Sequence, residues 1–250
     1  MYNNIYVERA KNILNDILVA AQRATATLAD KTTRILLELP LYRTEGVRLK
    51  QEQRDALQKH IQDVLQRNHV WCNGAGFASY AVPKTVREEN GYWTLEWWRQ
   101  ERNTIHYAQL EHNQEQHKRL DFRLFEWFRQ PASHHLPVID GPYVDYVCNG
   151  AYTITIAHPV LIGEEFAGVA AVDILVSTLD RLLLPVLGAI GKPALIINDD
   201  ARVVTSTVPG VRSGSLLKNP DVNRATDGED GEAPSLRLVI LPSSFRAFVS

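Results

Sequence analysis

The run Phe166–Ile174, FAGVAAVDI, is apolar almost throughout and yet carries Asp173 near its end. A carboxylate in such a run is costly to bury unless something pairs with it, and a ligand is one candidate partner. The run also belongs to a longer series that constrains the fold. Tyr143–Cys148 and Tyr152–Val160 flank Asn149-Gly150, a strong hairpin signal, and Gly163 turns the chain into Phe166–Ile174. Gly141-Pro142 reads as a turn ahead of them. Together with Gly76–Val82 and Gly91–Trp98, which are rich in aromatic and small residues, these segments predict an antiparallel meander.

Helices flank the strands. Val7, Ala10, Ile13, Leu14, Ile17, Leu18, Ala21, Ala24 and Leu28 recur at three- and four-residue steps, predicting one long amphipathic helix from Tyr6 to about Leu39, stopped by Pro40. Its stripe either packs on the chain's own sheet or forms the seam of a homodimer. Gln51–Gln66 is a second, more polar helix. His106–Leu120 reads as a polar loop, and Asp121–Arg129 as a short helix or turn ending at Pro131. Ser177–Leu187 is a helix for which Ser177 or Thr178 can supply the cap. Beyond Gly191-Lys192-Pro193, strands at Ala194–Asn198, Arg202–Thr207 and Leu236–Leu241 predict a smaller lobe, with Asn219–Pro234 as an acidic loop. The expected organisation is N-terminal helices over 1–68, a larger lobe over 69–190 and a smaller one over 191–250.

Composition excludes several classes. Acidic residues slightly outnumber basic ones, for a formal net charge of −2, which argues against binding nucleic acid through phosphate neutralisation. No run of about eighteen apolar residues exists to span a membrane, and the N-terminus lacks the apolar stretch of a secretory signal. Cys72 and Cys148 are the only cysteines, expected as reduced thiols of a cytoplasmic protein. His106, His112, His117, His134, His135 and His158 fit no metal-ligand spacing, and no cofactor motif is present. A Cys148–His158 dyad lacks an orienting third group, and Gly74-Ala75-Gly76 lacks the features of a phosphate loop, so the chain is not read as an enzyme.

The middle third concentrates aromatic residues. Trp127-Phe128, Gly141-Pro142-Tyr143-Val144-Asp145, the segment Tyr152–Val160 and the segment Phe166–Ile174 resemble, in order and spacing, the core of the double Cache (PDC) sensor domains. Tyr143 falls fifteen residues after Phe128, and Asp173 thirty after Tyr143. The resemblance implies an α+β fold of two PAS-like lobes with antiparallel sheets and a long N-terminal helix. It also implies a small-molecule pocket with Asp173 on a ligand amine, Trp127 and Tyr143 as walls and Phe128 packed behind. Asp145 shares a strand face with Tyr143 and is a secondary candidate. Trp97 and Trp98 face opposite sides of a strand, so at most one reaches the site, and Trp98 is taken as the candidate.

The pattern departs from the amino-acid-sensing version at two positions. An Arg two residues before the Trp holds a ligand carboxylate there, and here that place is Phe125; the Tyr expected five residues earlier is Leu120. The expected function is therefore a sensor module for an amine or amino-group metabolite, reporting to an unidentified signalling partner. The alternatives are a scaffold or regulatory subunit that kept the fold and lost the ligand, and, third, a cysteine-dependent enzyme. Because such domains are mostly the outer parts of membrane receptors, an excised extracytoplasmic domain stands beside the cytoplasmic, free-standing expectation. For Asp173 the structural alternative is a cap on the following helix.

Overall fold

The computed structural model describes residues 4–37, 47–81, 92–101, 104–108, 121–146, 150–217 and 236–242. Helix α1 runs over Asn4–Leu37 and α2 over Gln51–Arg67. Strands β1 (Gly74–Ala81), β2 (Tyr92–Glu101) and β3 (Thr104–Tyr107) follow. A 3-10 turn at Phe122–Leu124 leads into α3 (Glu126–His134). Then come β4 (Val138–Val144), β5 (Tyr152–Ile162), β6 (Glu165–Leu175) and α4 (Val176–Gly188). The chain ends in β7 (Ala194–Asn198), β8 (Val203–Ser206) and β9 (Leu236–Ile240). The fold is α+β. A six-stranded antiparallel sheet has the order β3-β2-β1-β6-β5-β4, and a three-stranded antiparallel sheet the order β8-β7-β9.

Strand periodicity divides the large sheet into two unlike faces. On one face, Phe77, Ile154, Ile156, Val172 and Ile174 meet the apolar stripe of α1, including Leu14, Leu18, Ala21 and Leu28, all buried. The stripe is thus spent inside the chain, against β5, β6, α2 and α4. Each fully buried Leu or Ile contributes about 1.5–3 kcal/mol, so this helix anchors the domain. The same core takes in Ala194, Ile196, Val204 and Leu236, so α1 also ties the small sheet to the large one. On the other face, Leu95, Trp97, Ala157, Val169 and Ala171 pack against Phe122, Trp127 and Phe128.

Several local expectations are corrected. Gly141-Pro142 is a cis peptide inside β4 and not a turn; the register with β5 shifts between Asp140 and Tyr143, and that irregularity absorbs the pair. Helix α3 does not stop at Pro131 but passes through it to His134, closed by His135 in the left-handed conformation, whose N–H reaches the Pro131 carbonyl at 3.0 Å. One proline removes one helical donor, which a helix packed on the aromatic core tolerates. The stretch predicted as loop from His106 begins within β3; its remainder beyond 108, with the acidic loop from Asn219, lies outside the described residues, as does Cys148. Finally, neither Ser177 nor Thr178 caps α4. Its N-cap is Leu175, whose N–H donates to Asn73 Oδ1 at 2.9 Å, and Thr178 Oγ1 donates to the same oxygen at 2.9 Å.

One charged group is buried on the helix face. Glu96 of β2 is fully buried and is held by Arg54 and by Gln58 Nε2 at 3.0 Å, both from α2. Removing the cation leaves a buried charge uncompensated. Arg54→Ala is expected to lower the unfolding free energy by about 3 kcal/mol, and Glu96→Leu added to it to restore most of that loss. Urea denaturation followed by circular dichroism checks both; a change below about 1 kcal/mol in the single variant contradicts this role.

Candidate functional site

Asp173 sits where three strands meet. It is in register with Gly74 of β1 on one side and Thr155 of β5 on the other, and Thr155 is in register with Asp140 of β4. Residues directly opposite in a sheet share a face, so this row lies on the aromatic side and away from α1. Asp173 therefore does not cap α4, whose N-cap Leu175 N–H and Thr178 hydroxyl both bind Asn73 Oδ1. Its carboxylate accepts a hydrogen bond from Thr155 Oγ1 at 2.7 Å, and Thr155 Oγ1 lies 2.6 Å from the Tyr143 hydroxyl. With the Thr155 proton committed to Asp173, the Tyr143 O–H donates to Thr155, giving a relay Tyr143–Thr155–Asp173.

Two glycines make room for the third wall. An added Cβ at Gly76 would stand 2.3 Å from the Trp97 ring, and one at Gly74 would stand 2.8 Å from Asp173 Oδ2 and 3.3 Å from Trp97 Nε1. The Trp97 indole thus lies across β1 because Gly74 and Gly76 have no side chains. Its N–H is turned to the Asp173 carboxyl and completes a full hydrogen bond with no protein atom. The glycine pair that fits no phosphate loop has this packing role.

A cavity of about 20 Å³ is lined by Asp173, Asp145, Trp97, Trp127, Tyr143 and Phe125, with Phe122 and Leu95 completing it. Asp173 is 3% exposed and Asp145 5%. Burial first, and the Asp145 carboxylate second, raise the Asp173 pKa to about 7, against the Thr155 hydrogen bond and the nearby Trp97 N–H. Burial likewise raises Tyr143, with Asp173 adding to it, and pushes the Cys72 thiol far up. Cys72 donates to the Gly74 carbonyl at 3.2 Å and is an inert core thiol. None of the described residues lining the cavity is basic.

The predicted residues divide as follows. Asp173, Asp145, Trp127 and Tyr143 come together around the cavity, and Phe128 packs behind Trp127 against Phe122 and Phe166. Trp98 does not join them. It is in register with Ala75, on the helix face, with its ring 5.4 Å from Tyr107, and Trp97 takes the place expected of it. Thr155 and Phe122 went unforeseen. The alternation Thr153, Thr155, Ala157 against Ile154, Ile156 was the available signal for Thr155, since it marks a face apart from the apolar core.

Phe125 stands half-buried at the position where the amino-acid pattern has Arg, its ring 5.3 Å from Tyr143 and 6.5 Å from Trp127. Neither nearby arginine replaces the clamp. Arg123 binds Asp121 through Nε at 2.7 Å and lies over the Tyr80 ring at 4.0 Å, while Arg129 pairs with Glu126 at the surface. Among the described residues, no three His, Cys, Asp or Glu side chains form a group that could hold a metal ion.

Residues 58–181 match the family described as "Methyl-accepting chemotaxis protein-like, first PDC sensor domain". That stretch belongs to the PDC, or double Cache, sensor family. Solved structures of the same fold agree. The ligand-binding domain of the Pseudomonas aeruginosa PAO1 amino acid chemoreceptor PctC, in complex with GABA, is 20% identical with a TM-score of 0.54, over 86% of this chain and 78% of that one. The sensory domain of the Campylobacter jejuni chemoreceptor Tlp3, with isoleucine bound, is 13% identical with a TM-score of 0.55, over 90% and 77%. The extracellular domain of soHK1S-Z6, described as a histidine kinase, is 18% identical with a TM-score of 0.57, over 87% and 75%. No curated protein sequence matches the chain. In this PDC domain, among the described residues, no helix is long and apolar enough to cross a membrane.

The carboxylate pair carries a pH signature. An acid whose folded pKa is raised is held protonated more firmly by the native state, so stability falls as pH climbs from the unfolded value of about 3.9 through about 7. Asp173→Asn removes that penalty. Its advantage in melting temperature over the wild-type domain is expected to be small near pH 5 and to grow up to pH 8, reaching an amount worth roughly 1–4 kcal/mol. Melting curves of both proteins from pH 5 to 8.5 decide this; a variant less stable at pH 8 contradicts the assignment.

Proposed function

We propose that this PDC domain senses small molecules that carry an ammonium group without an adjacent carboxylate, and reports occupancy to a signalling partner. The observation that carries this reading is Asp173, buried in an aromatic cavity with no basic residue among its described lining. An ammonium group there would pair with the Asp173 carboxylate. It gains charge-assisted hydrogen bonds from that carboxylate and cation–π attraction of about 0.5–2 kcal/mol from each ring it faces. Phe125, where an Arg would hold a ligand carboxylate, turns the preference from α-amino acids toward amines and amino-group metabolites. GABA on PctC and isoleucine on Tlp3 both carry an ammonium group, which supports the polarity of the site.

Location and assembly follow the same logic. The neighbour described as an extracellular domain favours the extracytoplasmic alternative over a cytoplasmic one. A homodimer through α1 would have to use its exposed side, because its apolar stripe is already buried within the chain.

The size of the cavity supports a second reading. About 20 Å³ admits one water-sized group, so a domain that kept the fold as a scaffold also fits unless the walls move. A thermal-shift panel of amines, amino acids and small carboxylates separates the two. An amine at one hundred times its dissociation constant should stabilise by about 2.7 kcal/mol, and Asp173→Ala should abolish the shift. A carboxylate that stabilises both proteins equally overturns the amine site, and silence across the panel leaves the scaffold.

A further inference from the structure

The small sheet repeats the strand order at the centre of the large one. In β8-β7-β9, as in β2-β1-β6, a central strand lies between two antiparallel neighbours. Leu236 and Leu238 of β9 turn toward the core that α1 builds, while Val239, with Ile197 of β7, belongs to the apolar cluster on the other face. Arg237 alternates with Leu236 and Leu238 and is in register with Ile197, so it lies on that second face. The small sheet thus carries a charged side chain on the face away from α1, as the large sheet carries Asp173.

The Arg237 side chain is only 16% exposed, and its donors are not used up by the protein. Nη1 stands 3.6 Å from Oδ1 of Asp199, whose own side chain is well exposed; that is an ion pair too long for a hydrogen bond. Nε and Nη2 are both shielded from solvent and reach no acceptor among the described residues. Nε–H and the neighbouring Nη2–H form one edge of the guanidinium plane, two parallel donors spaced for the two oxygens of a carboxylate. Buried donors without acceptors are costly, and arginine cannot escape that cost by losing its proton. A two-oxygen acceptor brought from outside the chain relieves both at once.

We propose that Arg237 anchors a second ligand site, in the small lobe, which takes a small monocarboxylate. The neighbours decide the class. Ile197 and Val239 share the face with the guanidinium, and their apolar surface favours an organic acid with a short alkyl chain over an inorganic anion. Asp199 already stands on one side of the cation, so a single negative charge is accommodated and a second one is repelled. The site does not depend on the amine reading, since it has the opposite polarity and lies on the other sheet. It does lie close to the contact between the lobes. Ile197 is followed by Asn198, whose Nδ2 donates to the Gly141 carbonyl of β4 at 2.8 Å. A carboxylate held beside β7 is therefore placed to act on the strand that carries Tyr143 to the large-lobe cavity.

NMR titration of propionate and of sulfate into the whole chain, at constant ionic strength, tests this in wild type, Arg237→Gln and Asp199→Asn. The resonances to follow are the Arg237 Nε–H and the backbone amides of Ile197 and Val239. Propionate is expected to shift all three in wild type and to saturate, with sulfate weaker. Arg237→Gln should weaken propionate by about tenfold or more, the worth of hydrogen bonds to a charged group. Asp199→Asn keeps the fork and removes the competing carboxylate. It should tighten propionate by about two- to fivefold, the scale of an exposed ion pair, and sulfate by more. Should Arg237→Gln fail to fold, the Asp199→Asn titration and the Nε–H resonance still decide. Propionate binding that leaves the Nε–H unmoved, persists undiminished in Arg237→Gln or weakens in Asp199→Asn overturns the proposal, as does a wild-type chain that propionate does not perturb.

Discussion

Two carboxylates buried side by side in an apolar cavity cannot both stay ionised without a cation between them. β6 carries Asp173 and the residue just after β4 is Asp145, both lining one cavity, and much of the site face serves to keep them there. Gly74 and Gly76 clear the space for Trp97, Thr155 and Tyr143 fix the Asp173 carboxyl, and Trp127 and Phe122 exclude water. Asp140, in the same cross-strand row, accepts the Trp127 N–H at 3.1 Å and so sets where α3 begins. Its own pKa is raised to about 6, first by burial, with the Trp127 and Gly141 N–H groups opposing the rise.

The two faces of the large sheet treat buried charge in opposite ways. On the helix face Glu96 is matched from within the chain by Arg54 and Gln58. On the aromatic face none of the described residues lining the cavity beside Asp173 is basic. A fold that satisfies one buried acid from its own sequence and sets two others beside an aromatic cavity has the asymmetry expected of a binding site, where stability is given up for function. The long helix α1 makes this affordable. It binds the helix face of the large sheet and reaches the small sheet, so the site face need not contribute as much to holding the domain together.

Much of this architecture is legible in the sequence because it rests on periodicity. The stripe of α1 and the alternation of β5 and β6 read directly, and the order of aromatic and acidic residues led to the family. What escaped depends on pairing between distant segments. Strand alternation shows that Trp97 and Trp98 face opposite ways, but only the register with Gly76 and Ala75 tells which one faces the site. In the same way Asn73, 102 residues before Leu175, binds the N-cap N–H and the Thr178 hydroxyl at the start of α4, where Ser177 or Thr178 was the local candidate for a cap. Gly141-Pro142 carries every local sign of a turn and yet lies within a strand, because the register shift in β4 accommodates it.

The most direct measurement is the proton count on amine binding. Titration of n-pentylamine near pH 6.5 in buffers of different ionisation enthalpy gives the number of protons exchanged. If the ammonium group displaces a proton shared by Asp173 and Asp145, the domain releases a substantial fraction of a proton, and the release shrinks as the pH is raised beyond about 8. Binding with no proton release at either pH would contradict the account, since the amine would then be held somewhere other than between these two carboxylates.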